Sequence, residues 1–116
     1  MKKIIIVLLL LCSNAYAELH GKTVETLANA IFVVEGGKKT KYPYGIKSIA
    51  THGNKARARK ICINTIQNTH NRWLNDNKPY DFLSYLADTY CPKQTDKLGN
   101  QRWKTNIRKI VGTLAL

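Results

Sequence analysis

The apolar stripe of Val24, Leu27, Ala28, Ile31 and Phe32, cut off by Gly36-Gly37, constrains this chain more than any other feature. Spacings of three and four belong to one face of a helix rather than to a strand. They predict a helix over residues 23–35, with Thr23 able to cap its start and the two glycines able to end it through a left-handed turn. Three further segments carry the same period. Residues 54–74 place Ala58, Ile61, Cys62, Ile66 and Trp73 inward and leave Lys55, Arg57, Arg59 and Lys60 largely outside. Residues 79–90 start with proline at the favoured first helical position and turn Phe82, Leu83 and Leu86 inward, and Pro92 forbids continuation. The fourth segment starts near Asn100 and carries Trp103, Ile107, Ile110, Val111 and Leu114. Residues 36–53 lack the pattern, and Lys41-Tyr42-Pro43-Tyr44-Gly45-Ile46 at their centre favours turn or extended structure. The expected fold is therefore mainly α, with a short irregular loop or hairpin after the first helix.

Ahead of these helices, Lys2 and Lys3 precede eight consecutive apolar residues, 4–11, and Ala15-Tyr16-Ala17 supplies the small-x-small pattern of a cleavage site. Eight falls well short of the roughly 20 that cross a bilayer, so residues 1–17 read as a signal peptide rather than a retained anchor. Leu11 before Cys12 argues against a lipoprotein. Residues 18–116 then form one domain, exported to the periplasm or secreted, monomeric, and not stably inserted in a membrane. They hold 17 basic and 7 acidic side chains, a net charge of +10. An exported protein does not normally meet nucleic acid, so this charge points first to an anionic cell envelope. A solvated surface that keeps the protein soluble is the plain alternative.

Cys12 leaves with the signal, and in an oxidising compartment Cys62 and Cys91 most simply pair with each other. A bridge over about 30 residues would stabilise the fold by roughly 3–4 kcal/mol on the loop-entropy estimate. Two free buried thiols are the alternative. No metal and no cofactor is implied, because His20, His52 and His70 are scattered and show no ligand spacing.

Glu35 is the residue on which chemistry can be hung. It lies four residues after Ile31 and seven after Ala28, so it shares the apolar face of the first helix. Burial disfavours the ionised carboxylate, and so does the negative end of the helix dipole. Both push its pKa upward, which is how a glutamate comes to serve as a general acid near neutral pH. The alternative is a helix-end glutamate swung to solvent or paired with Lys38 or Lys39.

A hydrophobic helix ending in Glu35-Gly36, followed by a loop and Tyr44-Gly45-Ile46-Lys47, resembles the lysozyme-like superfamily, especially goose-type lysozymes and soluble lytic transglycosylases. Residues 58–66, Tyr90-Cys91-Pro92 and residues 100–107 extend the likeness to small exported lysozyme-like domains, over most of residues 24–111. Gly36 stands where the family usually has serine, and Lys47 replaces its strand glutamine. The resemblance implies a lysozyme-like helical domain acting on peptidoglycan glycan strands, at the β-1,4 link between N-acetylmuramic acid and N-acetylglucosamine. It also implies Glu35 as catalytic acid and base. A two-carboxylate hydrolase needs a second acid across the bond, and residues 36–75 contain none. That favours a lytic transglycosylase over a hydrolase, although Asp76, Asp81, Asp88 or Asp96 could still approach through folding.

Candidate substrate contacts are Tyr42, Tyr44 and Tyr90, which could stack on sugar rings, Gly45 in the strand, and Thr65 and Asn68, which could hold acetamido groups. Ordinary half-buried tyrosines and capping or solvated polar residues are the alternatives. Trp73 and Trp103 read as core, and residues 55–60 as a solvated basic face. Two other functions compete with an enzyme: a non-catalytic cationic envelope-binding module, such as an accessory of a secretion or conjugation system, and a membrane-disrupting toxin. The toxin is disfavoured because the basic residues are not gathered on one amphipathic helix.

Overall fold

A computed structural model describes residue 19 and residues 21–47 and 54–112. The expected signal peptide, His20, His52 and Leu114 lie outside the described residues. Four helices follow the four periodic segments: α1 (Gly21–Val34), α2 (Lys55–Asn75), α3 (Phe82–Tyr90) and α4 (Lys97–Val111). Two single turns of 3-10 helix, Gly37–Lys39 and Pro43–Gly45, occupy the α1–α2 connection. The described residues contain no strand, so the fold is mainly α and the expected hairpin is a pair of turns instead. The physical reason is backbone hand. Gly36, Gly37, Tyr44 and Gly45 have φ of 110°, 57°, 61° and 71°, which no extended ladder accommodates.

The helix ends explain the shifts from the expected boundaries. Glu35 N–H donates to the Ile31 carbonyl at 2.9 Å and Gly36 N–H to that of Val33 at 3.2 Å, after which the left-handed glycines turn the chain away. Thr23 lies within the first turn of α1 rather than at its cap. Pro79 does not open α3. Asp81 does, accepting from the Ser84 N–H at 3.0 Å and its hydroxyl at 2.8 Å. Asp96 caps α4 in the same way, accepting from Gly99 N–H at 2.9 Å, so that helix begins ahead of Asn100.

α1 and α3 each pack against both α2 and α4, which closes the four helices into a ring around one core. Val24, Leu27, Ala28, Ala30 and Ile31 enter it from α1, and Ala58, Cys62, Ile66 and Trp73 from α2. Phe82, Leu83, Leu86 and Ala87 enter from α3, and Trp103 and Ile107 from α4. Burying a side chain such as Leu27 or Ile66 completely contributes about 1.5–3 kcal/mol. His70, Trp73 and Phe82 form an aromatic cluster with centroids 5.1–5.4 Å apart. The expected stripes run slightly wide: Phe32 and Ile61 are half-buried, and Ile110 is 46% exposed, one turn beyond the last core residue of α4. Arg59 is half-buried, and its guanidinium reaches across to Asn29 Oδ1 at 2.8 Å. No helix among the described residues is long and apolar enough to cross a membrane.

Candidate active-site pocket at the end of the first helix

Glu35 is the residue directly after α1, where Gly36 and Gly37 bend the chain back. That position leaves its side chain half-buried between the Pro43–Gly45 turn and α4. The Nε1–H of Trp103 donates to Glu35 Oε1 at 3.1 Å. On the other side Gly45 crowds the carboxylate, and a Cβ built there would lie 3.0 Å from both Cδ and Oε2 of Glu35. With a φ of +71°, Gly45 is required twice, for its backbone hand and for its missing side chain. Trp103 is itself buried, with its indole stacked on Tyr90 at 5.3 Å and an interplanar angle of 13°. Tyr90 Oη in turn sits 3.5 Å from Cys62 Sγ.

A pocket of about 280 Å³ opens beside the carboxylate, lined by Glu35, Gly45, Ile46, Lys47, Thr65, Thr89 and Tyr90. Ligand clefts run from about 300 Å³ upward, so this one has room for a single ring-sized group. Burial pushes the Glu35 pKa above the usual glutamate range, against smaller lowering effects of the Trp103 hydrogen bond and the Lys47 charge. Burial also pushes the Cys62 thiol up to about 11, and burial together with the Cys62 and Glu35 charges raises Tyr90. Cys62 and Tyr90 are therefore uncharged at neutral pH, and Glu35 holds its proton more tightly than an ordinary glutamate does.

Of the expected site residues, the structure brings Glu35, Gly45, Thr65 and Tyr90 together around this pocket. The Thr65 hydroxyl donates to the Ile61 carbonyl at 2.9 Å, which leaves its oxygen free to accept. Tyr44 is not a sugar platform. It is 2% exposed, packs on Phe32 at 5.1 Å and accepts from Arg59 Nη1 at 3.2 Å, so it pins the turn instead. Tyr42 is outside the pocket lining, with the Lys41 ammonium 5.1 Å from its ring centroid. Asn68 is exposed and also outside the lining. Lys47, Thr89 and Ile46 line the pocket without having been expected there, and the contact between Trp103 and Glu35 has no local sequence signal.

No Asp lines the pocket. Asp76 accepts from Tyr85 Oη at 2.5 Å, Asp81 and Asp96 cap helices, and Asp88 accepts from the Lys93 N–H and from Asn100 Nδ2, each at 3.2 Å. All four are held by structural partners. The expected Cys62–Cys91 bridge is also not present, since both residues are free thiols. Cys62 points into the core beneath Tyr90, whereas Cys91 ends α3 beside Gly99 of α4. Among the described residues no group of His, Cys, Asp and Glu is arranged to hold a metal ion.

Compared with known proteins, the sequence matches no family model and no curated protein, and the fold matches no solved structure.

Proposed function

We propose that this chain is an exported glycosidase that cleaves peptidoglycan between N-acetylmuramic acid and N-acetylglucosamine with Glu35 as its single catalytic carboxyl group. The observation that carries the reading is the half-buried Glu35, held by Trp103 at the edge of a pocket that has no second carboxylate among the described residues. An acid with a raised pKa suits donation to a leaving oxygen. Protonation of the glycosidic oxygen lets the bond from C1 to that oxygen break, and positive charge develops at C1 of the muramyl sugar. Glu35, now ionised, takes the proton from that sugar's own 6-hydroxyl as O6 closes on C1. The product end is a 1,6-anhydro sugar, and Glu35 is protonated again. Hydrolysis through two carboxylates would need a partner several ångströms across the bond, and the described residues that line the pocket offer none.

Gly45, Thr65 and Tyr90 then bound the sugar next to the scissile bond, with Thr65 Oγ1 available to accept from an acetamido N–H. Lysozyme-like kinship rests on the resemblance of the short motifs around Glu35.

A second reading draws on the surface. Lys55, Arg57, Lys60, Arg102, Arg108 and Lys109 are all exposed, which suits a cationic module that docks on an anionic envelope without catalysis. Incubation of purified glycan strands with wild type and with Glu35→Gln, read by mass spectrometry of the products, separates the two. Anhydro-ended fragments from wild type alone support the enzyme. Intact strands with both proteins, each shown to be folded by circular dichroism, leave the binding module.

A further inference from the structure

Among the described residues, Lys47 is the only basic one that lines the pocket, and Glu35 the only acidic one. The other cation close by, Arg59, is already committed to Asn29 and Tyr44. No salt bridge to Lys47 occurs among the described residues. When Glu35 carries its proton, as an acid awaiting substrate must, Lys47 faces a cavity that holds no negative charge. A cation at the rim of a pocket without a counter-charge is completed by an anionic ligand.

We infer that Lys47 selects glycans bearing a carboxylate on the sugar held in this pocket and discriminates against neutral amino-sugar polymers of the same backbone. The inference rests on the glycosidase reading and narrows its substrate class. Two carboxylates meet the requirement: the free lactyl acid of an unsubstituted muramyl sugar, or an acid of a peptide attached there. Thr65, Thr89 and Tyr90, which line the same pocket, carry no positive charge to pair with a carboxylate, so the discrimination falls to Lys47. Lys47 is an exposed residue, so the gain is that of one partly solvated charged hydrogen bond, about tenfold in affinity.

The experiment measures binding in the Glu35→Gln background, which prevents turnover and removes any effect of Lys47 on the Glu35 proton. Three probes are titrated by calorimetry or NMR: a neutral N-acetylglucosamine dimer, the disaccharide with a free muramyl lactyl group, and that disaccharide with its peptide. At least one anionic probe is expected to bind about tenfold tighter than the neutral dimer, and Lys47→Gln is expected to erase the difference while leaving the dimer's affinity unchanged. Whichever anionic probe shows the gain identifies the carboxylate that is read. Equal affinity for all three, or a preference that survives Lys47→Gln, overturns the role of Lys47 and leaves the glycosidase reading standing. Absence of binding by every probe overturns both.

Discussion

Trp103 and Glu35 lie 68 residues apart and meet through one hydrogen bond of 3.1 Å, from indole Nε1–H to carboxylate Oε1. The contact has two effects. It fixes the direction in which the acid points, and it favours the ionised form, partly offsetting the burial that disfavours it. An acid buried to the same extent without such a donor would hold its proton more tightly.

Trp103→Phe keeps a ring on Tyr90 but deletes the donor. The Glu35 pKa is expected to rise further, because a lowering influence is lost. Carbon-13 NMR titration of the labelled side chain reads this directly. The alkaline limb of any glycan cleavage moves upward with it, while Trp103→Tyr, whose hydroxyl can donate, restores part of the shift. An unchanged titration would show that the hydrogen bond does not tune the acid.

Glu35→Gln changes stability in a pH-dependent way. A raised folded-state pKa means that the native state holds the proton more tightly than the unfolded chain. The stability this contributes is complete below the ordinary value of 4.5 and is lost as pH rises through the folded pKa. Glutamine can still accept from Trp103 and has no proton to lose. The melting temperature of Glu35→Gln relative to wild type is therefore expected to increase from acid to neutral pH, as calorimetry would record.

Gly45→Ala forces a Cβ into left-handed backbone and to within 3.0 Å of the Glu35 carboxylate. The backbone alone costs about 1–2 kcal/mol, and the carboxylate must also swing out of place. Denaturant melts are expected to show a loss of at least that size, with Glu35 titrating closer to an ordinary glutamate. Gly37→Ala shares the positive φ but meets nothing within 4 Å, so it isolates the backbone cost.

His70 opposes Glu35 in the pH dependence. It is 8% exposed, its Nδ1 has no hydrogen-bond partner among the described residues, and burial followed by the charge of Lys78 lowers its pKa from 6.5. The neutral ring is thus favoured in the fold. Stability is complete above about 6.5 and falls as pH drops from there through the folded pKa, because only the unfolded chain takes up the proton. His70→Phe, which keeps an aromatic ring against Trp73 and Phe82, is expected to flatten that acid-side loss in calorimetric scans.

What could be read from the sequence was whatever is local. The end of α1 follows from Gly36-Gly37, and the half-burial of Glu35 follows from its place on the stripe of Ala28 and Ile31. Asp81 with Ser84, and Asp96 with Gly99, were legible caps that the proline at position 79 and the apolar start near Asn100 obscured. Tyr44 was misplaced because an exposed turn and a buried one share the same Pro-Tyr-Gly composition; only the contacts with Phe32 and Arg59 separate them. Asn68 follows Thr65 by three residues, a rotation of about 60° short of a full turn, and that is enough to put one on the pocket and the other in water. The partnership of Trp103 with Glu35 depends on closing a ring of helices, and no window of sequence contains it.

That ring also sets an order of events. Glu35 directly follows the first of the four helices and Trp103 belongs to the last, so a chain still being made leaves the carboxylate without its indole donor until α4 docks. Synthesis from the amino end therefore delivers the carboxyl group long before the indole that orients it, and the surroundings of Glu35 are complete only once the last helix is in place.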